Sequence, residues 1–143
     1  MTTTDPAGPW APEAEAAPGR VFRTELNPAD FLSRAAYMYP DKTAVVDGDR
    51  RYSYRQFADR SWRLANALRS AGLGKGDRVA TLLFNSAPML EAHFGVPAAD
   101  GVLVPVNFRL SSAEVGYILA HSGARYLLLA AGCSRPRRWT GGS

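Results

Sequence analysis

Three glycines spaced two apart around a lysine, Gly72-x-Gly74-Lys75-Gly76, form the segment of this chain that most looks built for phosphate. A glycine loop grips phosphate when it follows a strand and opens a helix, because helical N–H groups then point at the anion. Here a helical pattern closes at Gly72 and a strand pattern begins at Arg78, the reverse order. The glycines therefore read as a helix cap and a turn. Lys75 is followed by Gly76 rather than Ser or Thr, which excludes a Walker-type loop. His93 and His121 are the only imidazoles, and neither has a carboxylate three or four residues downstream to complete a ligand set. Cys133 is the only cysteine, so neither an internal disulfide nor a thiolate zinc cluster is available. Ser86 and Ser111 suit helix caps better than nucleophiles, since no base accompanies them in a strand–turn–helix elbow. Arg109 and Leu110 follow an apolar strand pattern, where a loop can face a ligand crevice; a solvated arginine near a helix start is the plainer alternative. No set of residues amounts to an active site, and none is assigned as catalytic, cofactor-binding or metal-ligating.

The elements that would position such groups are readable from periodicity. Asn27 caps a helix with Pro28 in its first turn, Phe31, Leu32, Ala35 and Met38 recur at helical spacing, and Pro40 closes it. Thr43–Val46 and Arg50–Tyr54, separated by Asp47-Gly48-Asp49, predict a hairpin. Ser53 and Gln56 have capping-box spacing, and the helix after them carries Phe57, Ser61, Leu64 and Leu68 on one stripe. Gly72 ends it with a left-handed residue, and Leu73 folds back over the last turn. Arg78–Phe84 is a continuous apolar run, the pattern of a buried parallel strand. A helix from Asn85 or Ser86 ends or kinks near Pro97, and Gly101–Val106 is the next strand. Ser111 and Glu114 form a second capping box, with Val115, Ile118, Leu119 and Ser122 along one face; Gly123 stops that helix before a strand at Tyr126–Leu129. The fold class is α/β: a β-hairpin and helices, then a partial parallel β-α-β-α-β layer.

Composition sets the limits around this. The chain has 143 residues, 46% apolar and 21% charged, a one-domain length and an ordinary soluble composition. Residues 1–24, rich in Pro and Ala, are expected to form a flexible arm, 25–131 the folded part, and 132–143 a basic tail. The net charge of +4 leans on Arg135, Arg137 and Arg138; without them 14 bases face 13 acids. A nucleic-acid binder gathers its cations on one folded face, so nucleic acid is not an expected partner. No run approaches the ~20 apolar residues of a transmembrane helix, and the start lacks a secretory pattern, so a cytoplasmic location is expected. The abrupt change of character after Ala131 leads us to expect a truncation or a shifted reading frame there, with a natural flexible basic tail as the alternative. An unfinished sheet would leave an apolar edge prone to self-association.

Four segments then resemble the adenylate-forming superfamily. Tyr37-Met-Tyr-Pro-Asp-Lys-Thr-Ala-Val-Val-Asp47 is similar to its opening Pro-Asp-x-x-Ala-(Val/Ile) pattern, and Arg51-Tyr-Ser-Tyr-Arg-Gln-Phe57 to its first core motif. Gly72-Leu-Gly-Lys-Gly-Asp-Arg-Val-Ala80 resembles the entry to the next strand, and Ala98-Ala-Asp-Gly-Val-Leu-Val-Pro-Val-Asn107 the second core motif. The resemblance runs in order from about Asn27 to Leu129. Pro105-Val-Asn-Phe-Arg-Leu110 looks like the acyl-CoA synthetase version of the second motif rather than the amino-acid-activating one, and Glu91-Ala-His-Phe-Gly-Val-Pro97 suggests the medium- and long-chain branch.

The resemblance implies a fatty-acid–CoA ligase using ATP, Mg and CoA, in which a carboxylate is adenylated and then transferred to the CoA thiol. It also implies donors that this chain lacks: a Ser/Thr/Gly-rich loop with its lysine, an acidic residue near the metal, a ribose-binding Asp and a lid lysine. Thr140-Gly-Gly-Ser143 is too short and has no lysine. Ser53, Gln56, Gly72, Gly101 and Pro105 match family motifs as scaffold positions only. An N-terminal fragment, inactive alone, is the expectation; a noncatalytic α/β binding module and a fragment of an amino-acid or aryl-acid adenylating enzyme remain open beside it.

Overall fold

Residues 27–130 are described by the computed structural model; the arm expected at 1–24 and the tail expected at 132–143 lie outside them. Helix α1 (Pro28–Met38) starts where the Asn27 side chain accepts from the Ala29 N–H. The hairpin follows, β1 (Thr43–Asp47) against β2 (Arg50–Ser53), antiparallel with an irregularity between Thr43 and Val45. Helix α2 (Tyr54–Ser70) begins directly after the Ser53 cap, so the second strand, expected to reach Tyr54, ends at Ser53 and Tyr54 is helical. The Ser53–Gln56 capping box is complete in both directions. At the other end the Gly72 N–H reaches the Arg69 carbonyl and the Leu73 N–H the Leu68 carbonyl. Gly72 sits at φ +88°, the left-handed region open to glycine, and Leu73 is thereby folded into the core.

The parallel layer comes next: β3 (Arg78–Leu82), α3 (Ala87–Ala98), β4 (Val102–Pro105), α4 (Ser112–Ser122) and β5 (Tyr126–Leu129). Both neighbours of β3 run parallel to it, in the order β4-β3-β5. The α/β class and the partial β-α-β-α-β layer are as the periodicity indicated. Pro97 is tolerated inside the last turn of α3, which stops one residue later, because the Ala99 N–H still reaches the Gly95 and Val96 carbonyls. The strand expected to run to Phe84 stops at Leu82; Leu83 is buried while Phe84 is exposed.

Strand alternation splits the sheet into unlike faces. Val79, Leu103, Tyr126 and Leu128 pack with Ala65 and Leu68 of α2 and Val96 of α3. A second cluster joins Leu32 of α1, Val45 of β1, Phe57 and Ala58 of α2, and Ala87 of α3. On α1 the buried positions are Ala29 and Leu32, whereas Phe31 and Met38 are exposed; the helical spacing was right and the stripe is rotated. Among the described residues the opposite sheet face is served by α4 alone, which buries none of its residues. Among the described residues no buried side-chain nitrogen or oxygen lacks a partner.

Helices α2 and α3 approach most closely at Gly95. A Cβ there would lie 2.8 Å from the Ser61 carbonyl oxygen and 3.0 Å from Leu64 Cδ2. Ser61 is fully buried, its hydroxyl donating to the Phe57 carbonyl at 2.9 Å. Gly95→Ala is expected to lower stability by about 1–3 kcal/mol in urea denaturation. Gly116→Ala is the control: nothing lies within 4 Å of the added methyl, so the helix should gain about 0.5–1 kcal/mol.

Two exposed carboxylates hold turns in place. Glu114 accepts from the Ser111 hydroxyl and N–H, which keeps its carboxyl below its ordinary value. Asp77 is lowered chiefly by the Gly74 N–H and then by Arg125. A carboxylate depressed on folding stabilises above its unfolded value and loses that contribution as pH falls through the folded one. The stability advantage of the native chain over Glu114→Gln should therefore be present at neutral pH and vanish on acidification, as read by melting temperature against pH.

Candidate functional site

The loops at the carboxyl ends of β3 and β4 part company. The first leads into α3, which covers the Val79 face of the sheet. The second leads into α4, beside Leu82 on the other face. Open parallel sheets bind ligands at such a divergence, outside the carboxyl ends of the strands. An open crevice of about 420 Å³ lies there, lined by Leu83, Asn85 and Met89 from one side and by Val106, Asn107 and Arg109 from the other.

Local chemistry shapes both walls. Thr81, fully buried, points its hydroxyl at the Met89 sulfur 3.6 Å away and so helps to fix a wall residue from behind. The Ser86 hydroxyl donates to the Phe84 carbonyl, leaving α3 without a side-chain cap from its own N-cap residue. Asp47 supplies one from the hairpin: its Oδ2 accepts from the Ala87 N–H at 3.1 Å and also meets Arg50 at 3.1 Å. The walls touch where Phe84 and Phe108 meet edge-on, centroids 4.7 Å apart. Asn107 Oδ1 accepts from the Arg109 N–H at 3.0 Å, and the Arg109 guanidinium stands 5.6 Å from the Phe108 ring.

The residues singled out in the sequence fall as follows. Arg109 is at the crevice, which fits the ligand-facing alternative. His93 Nδ1 is bonded to the Met89 carbonyl within α3, and His121 stacks on Tyr117 at 5.6 Å on α4, so the two imidazoles are not brought together. Cys133 lies outside the described residues. Ser111 caps α4, and the Gly72–Gly76 segment is at the opposite end of the strands from the crevice. Ser53 and Gln56 cap α2. Gly101 sits in a crowded place, where a Cβ would lie 3.0 Å from Leu73 Cδ2 and 3.1 Å from Val96 Cγ1. Pro105 ends β4 on an exposed edge. Two contributors were missed: Asp47, read as a turn residue, and Phe84, read as the end of a strand.

The crevice offers one cation, two carboxamides and one aromatic ring, and no carboxylate. Among the described residues no cluster of three or more His, Cys, Asp or Glu is placed to hold a metal. The donor set does not by itself fit a magnesium triphosphate. No helix among the described residues is long and apolar enough to cross a membrane. Asp47→Ala should cost about 1 kcal/mol in urea denaturation through loss of the α3 cap, and Asp47→Asn, which keeps the acceptor, much less.

The profile of the AMP-binding enzyme family matches residues 32–140. A 4-hydroxybutyrate–CoA ligase of Metallosphaera sedula is 40% identical over 125 residues, covering 87% of this chain and 21% of the relative. A fatty acyl CoA synthetase of Mycobacterium tuberculosis superposes with a TM-score of 0.72 at 34% identity, covering 76% of this chain and 22% of the other. An artificially fused adenylation–PCP di-domain from Klebsiella oxytoca, NpsA–ThdA, gives 0.70 at 30% identity, with 80% and 21% covered. The chain thus spans about one fifth of the length of the curated relatives it matches. It belongs to the adenylate-forming AMP-binding enzyme family, on its acyl-CoA synthetase branch, and its fold is part of that family's N-terminal domain.

Proposed function

We propose that this chain supplies the opening part of the large domain of an ATP-dependent acyl-CoA synthetase acting on a fatty acid or related carboxylate. In the complete enzyme a carboxylate oxygen bonds to the α-phosphorus of ATP, held with Mg, and pyrophosphate leaves. The CoA thiolate then adds to the acyl carbonyl and AMP departs, giving the thioester. A free carboxylate is a poor electrophile, and adenylation gives it a leaving group. The phosphoryl charge that develops must meet N–H donors, a cation and a metal ion.

The observation that carries this reading is the loop Pro105-Val-Asn-Phe-Arg-Leu110. It has the acyl-CoA synthetase form of the second motif, and the fold sets it at the mouth of the switch-point crevice. Names among the relatives agree in chemistry, a 4-hydroxybutyrate–CoA ligase and an acetate/butyrate–CoA ligase among them. The described residues contribute a wall and one cation, too few groups to neutralise a triphosphate, so the isolated chain is inactive on this reading. An aryl-acid adenylating unit is the second reading, favoured by the structural likeness to a domain solved with 3-hydroxybenzoyl-AMSN.

The purified 143-residue chain, given ATP, Mg and a panel of fatty and aryl acids, is expected to show no ATP–pyrophosphate exchange above a blank. Exchange with any acid would refute inactivity. For a longer protein containing this chain, exchange confined to aryl acids would replace the fatty-acid reading with the second one.

A further inference from the structure

Thr81 is the only hydroxyl residue of β3, and it is fully buried. A hydroxyl shut away from water takes a hydrogen-bond partner within the protein, and an oxygen is the strong choice. Here the partner is the Met89 sulfur at 3.6 Å, a weak acceptor. Such a bond adds little as a fastening, but it has a direction. A thioether sulfur carries two lone pairs, and the Thr81 hydroxyl takes one of them. Because β3 lies behind Met89, the other pair is turned away from the sheet, toward the crevice that Met89 lines.

Met89 is half-buried in the first turn of α3, where its N–H reaches the Ser86 carbonyl at 3.1 Å. Met38 makes the contrast. It ends α1 and is 53% exposed, with no hydroxyl aimed at its sulfur among the described residues. Two methionines of one chain thus present their sulfurs differently, one with a side chosen and one without.

We propose that Met89 is an oxidation site opening on the crevice, and that Thr81 fixes the hand of its product. A sulfur lone pair attacks one oxygen of a peroxide and the O–O bond breaks. The departing hydroxide takes the proton of the transferred oxygen and leaves as water. Sulfur is oxidised and the peroxide reduced, with no further reagent. Sulfoxide sulfur is chiral, so the lone pair that reacts decides which epimer forms. With the inner pair occupied and shielded by β3, attack comes from the crevice and gives a single epimer. The product turns an apolar side chain of the wall into a polar one, opposite Asn107 and Arg109.

The test treats the native 143-residue chain with dilute hydrogen peroxide, under conditions that leave its circular dichroism unchanged. The protein is then digested, and the peptides are divided between the two epimer-specific methionine sulfoxide reductases. By mass spectrometry Met89 is expected to gain one oxygen, which one reductase removes completely and the other leaves in place. Met38 sulfoxide from the same tube should be reduced roughly half by each enzyme. Thr81→Val removes the donor and should make Met89 behave like Met38, whereas Thr81→Ser should keep the single epimer. Should the valine variant not fold, the epimer ratio of the native chain still decides. Met89 left unoxidised while Met38 reacts fully overturns the site. An even mixture at native Met89, or a folded valine variant with the native ratio, overturns the role of Thr81.

Discussion

Everything in this chain answers to the position of β3. It takes hydrogen bonds on both sides, from β4 and from β5, while among the described residues its neighbours each have one partner. A strand so placed must be apolar on both faces, and Val79, Ala80 and Thr81 are all fully buried. The loops that follow it and its neighbour β4 turn to opposite faces of the sheet, which opens a crevice at one end of the strands. The face toward α2 and α3 is packed to the point of excluding a methyl group at Gly95, whereas the face toward α4 is thinly covered. The same short strand is therefore the boundary between a densely packed and a thinly covered half of the core.

What could be read in the sequence was local. Both capping boxes, Ser53–Gln56 and Ser111–Glu114, involve partners three residues apart, and both are complete. Gly72 and Gly123 were legible as helix stops because a left-handed residue at that place favours glycine, and both have positive φ. The hairpin turn at Gly48 followed from the same preference. The strand order β4-β3-β5 was not legible, since pairing joins residues far apart and parallel patterns do not say which strand lies in the middle. The apolar positions of α4 carry a helical signature but no statement of what they face; Val115 and Leu119 are only half-buried.

The site was legible in outline and not in its fastenings. Arg109 could be placed near a crevice because it follows a buried strand in an α/β pattern. The contact of Phe84 with Phe108 could not, because it depends on β3 stopping at Leu82 and releasing the next residues into a loop. Asp47 was invisible for a similar reason: it acts across forty residues on the first N–H of α3. Turn chemistry explains its residue type well enough that nothing local asks for a second role.

That second role has a dynamic consequence. Because one carboxylate oxygen is shared between Arg50 in the hairpin and Ala87 at the head of α3, fraying of the hairpin withdraws the acceptor that keeps the first turn of α3 wound. The hairpin and the wall of the crevice should then open together as one cooperative unit, with amide protons of both exchanging at a common free energy. Any motion the crevice makes around a guest is coupled, through that oxygen, to a ribbon that does not touch it.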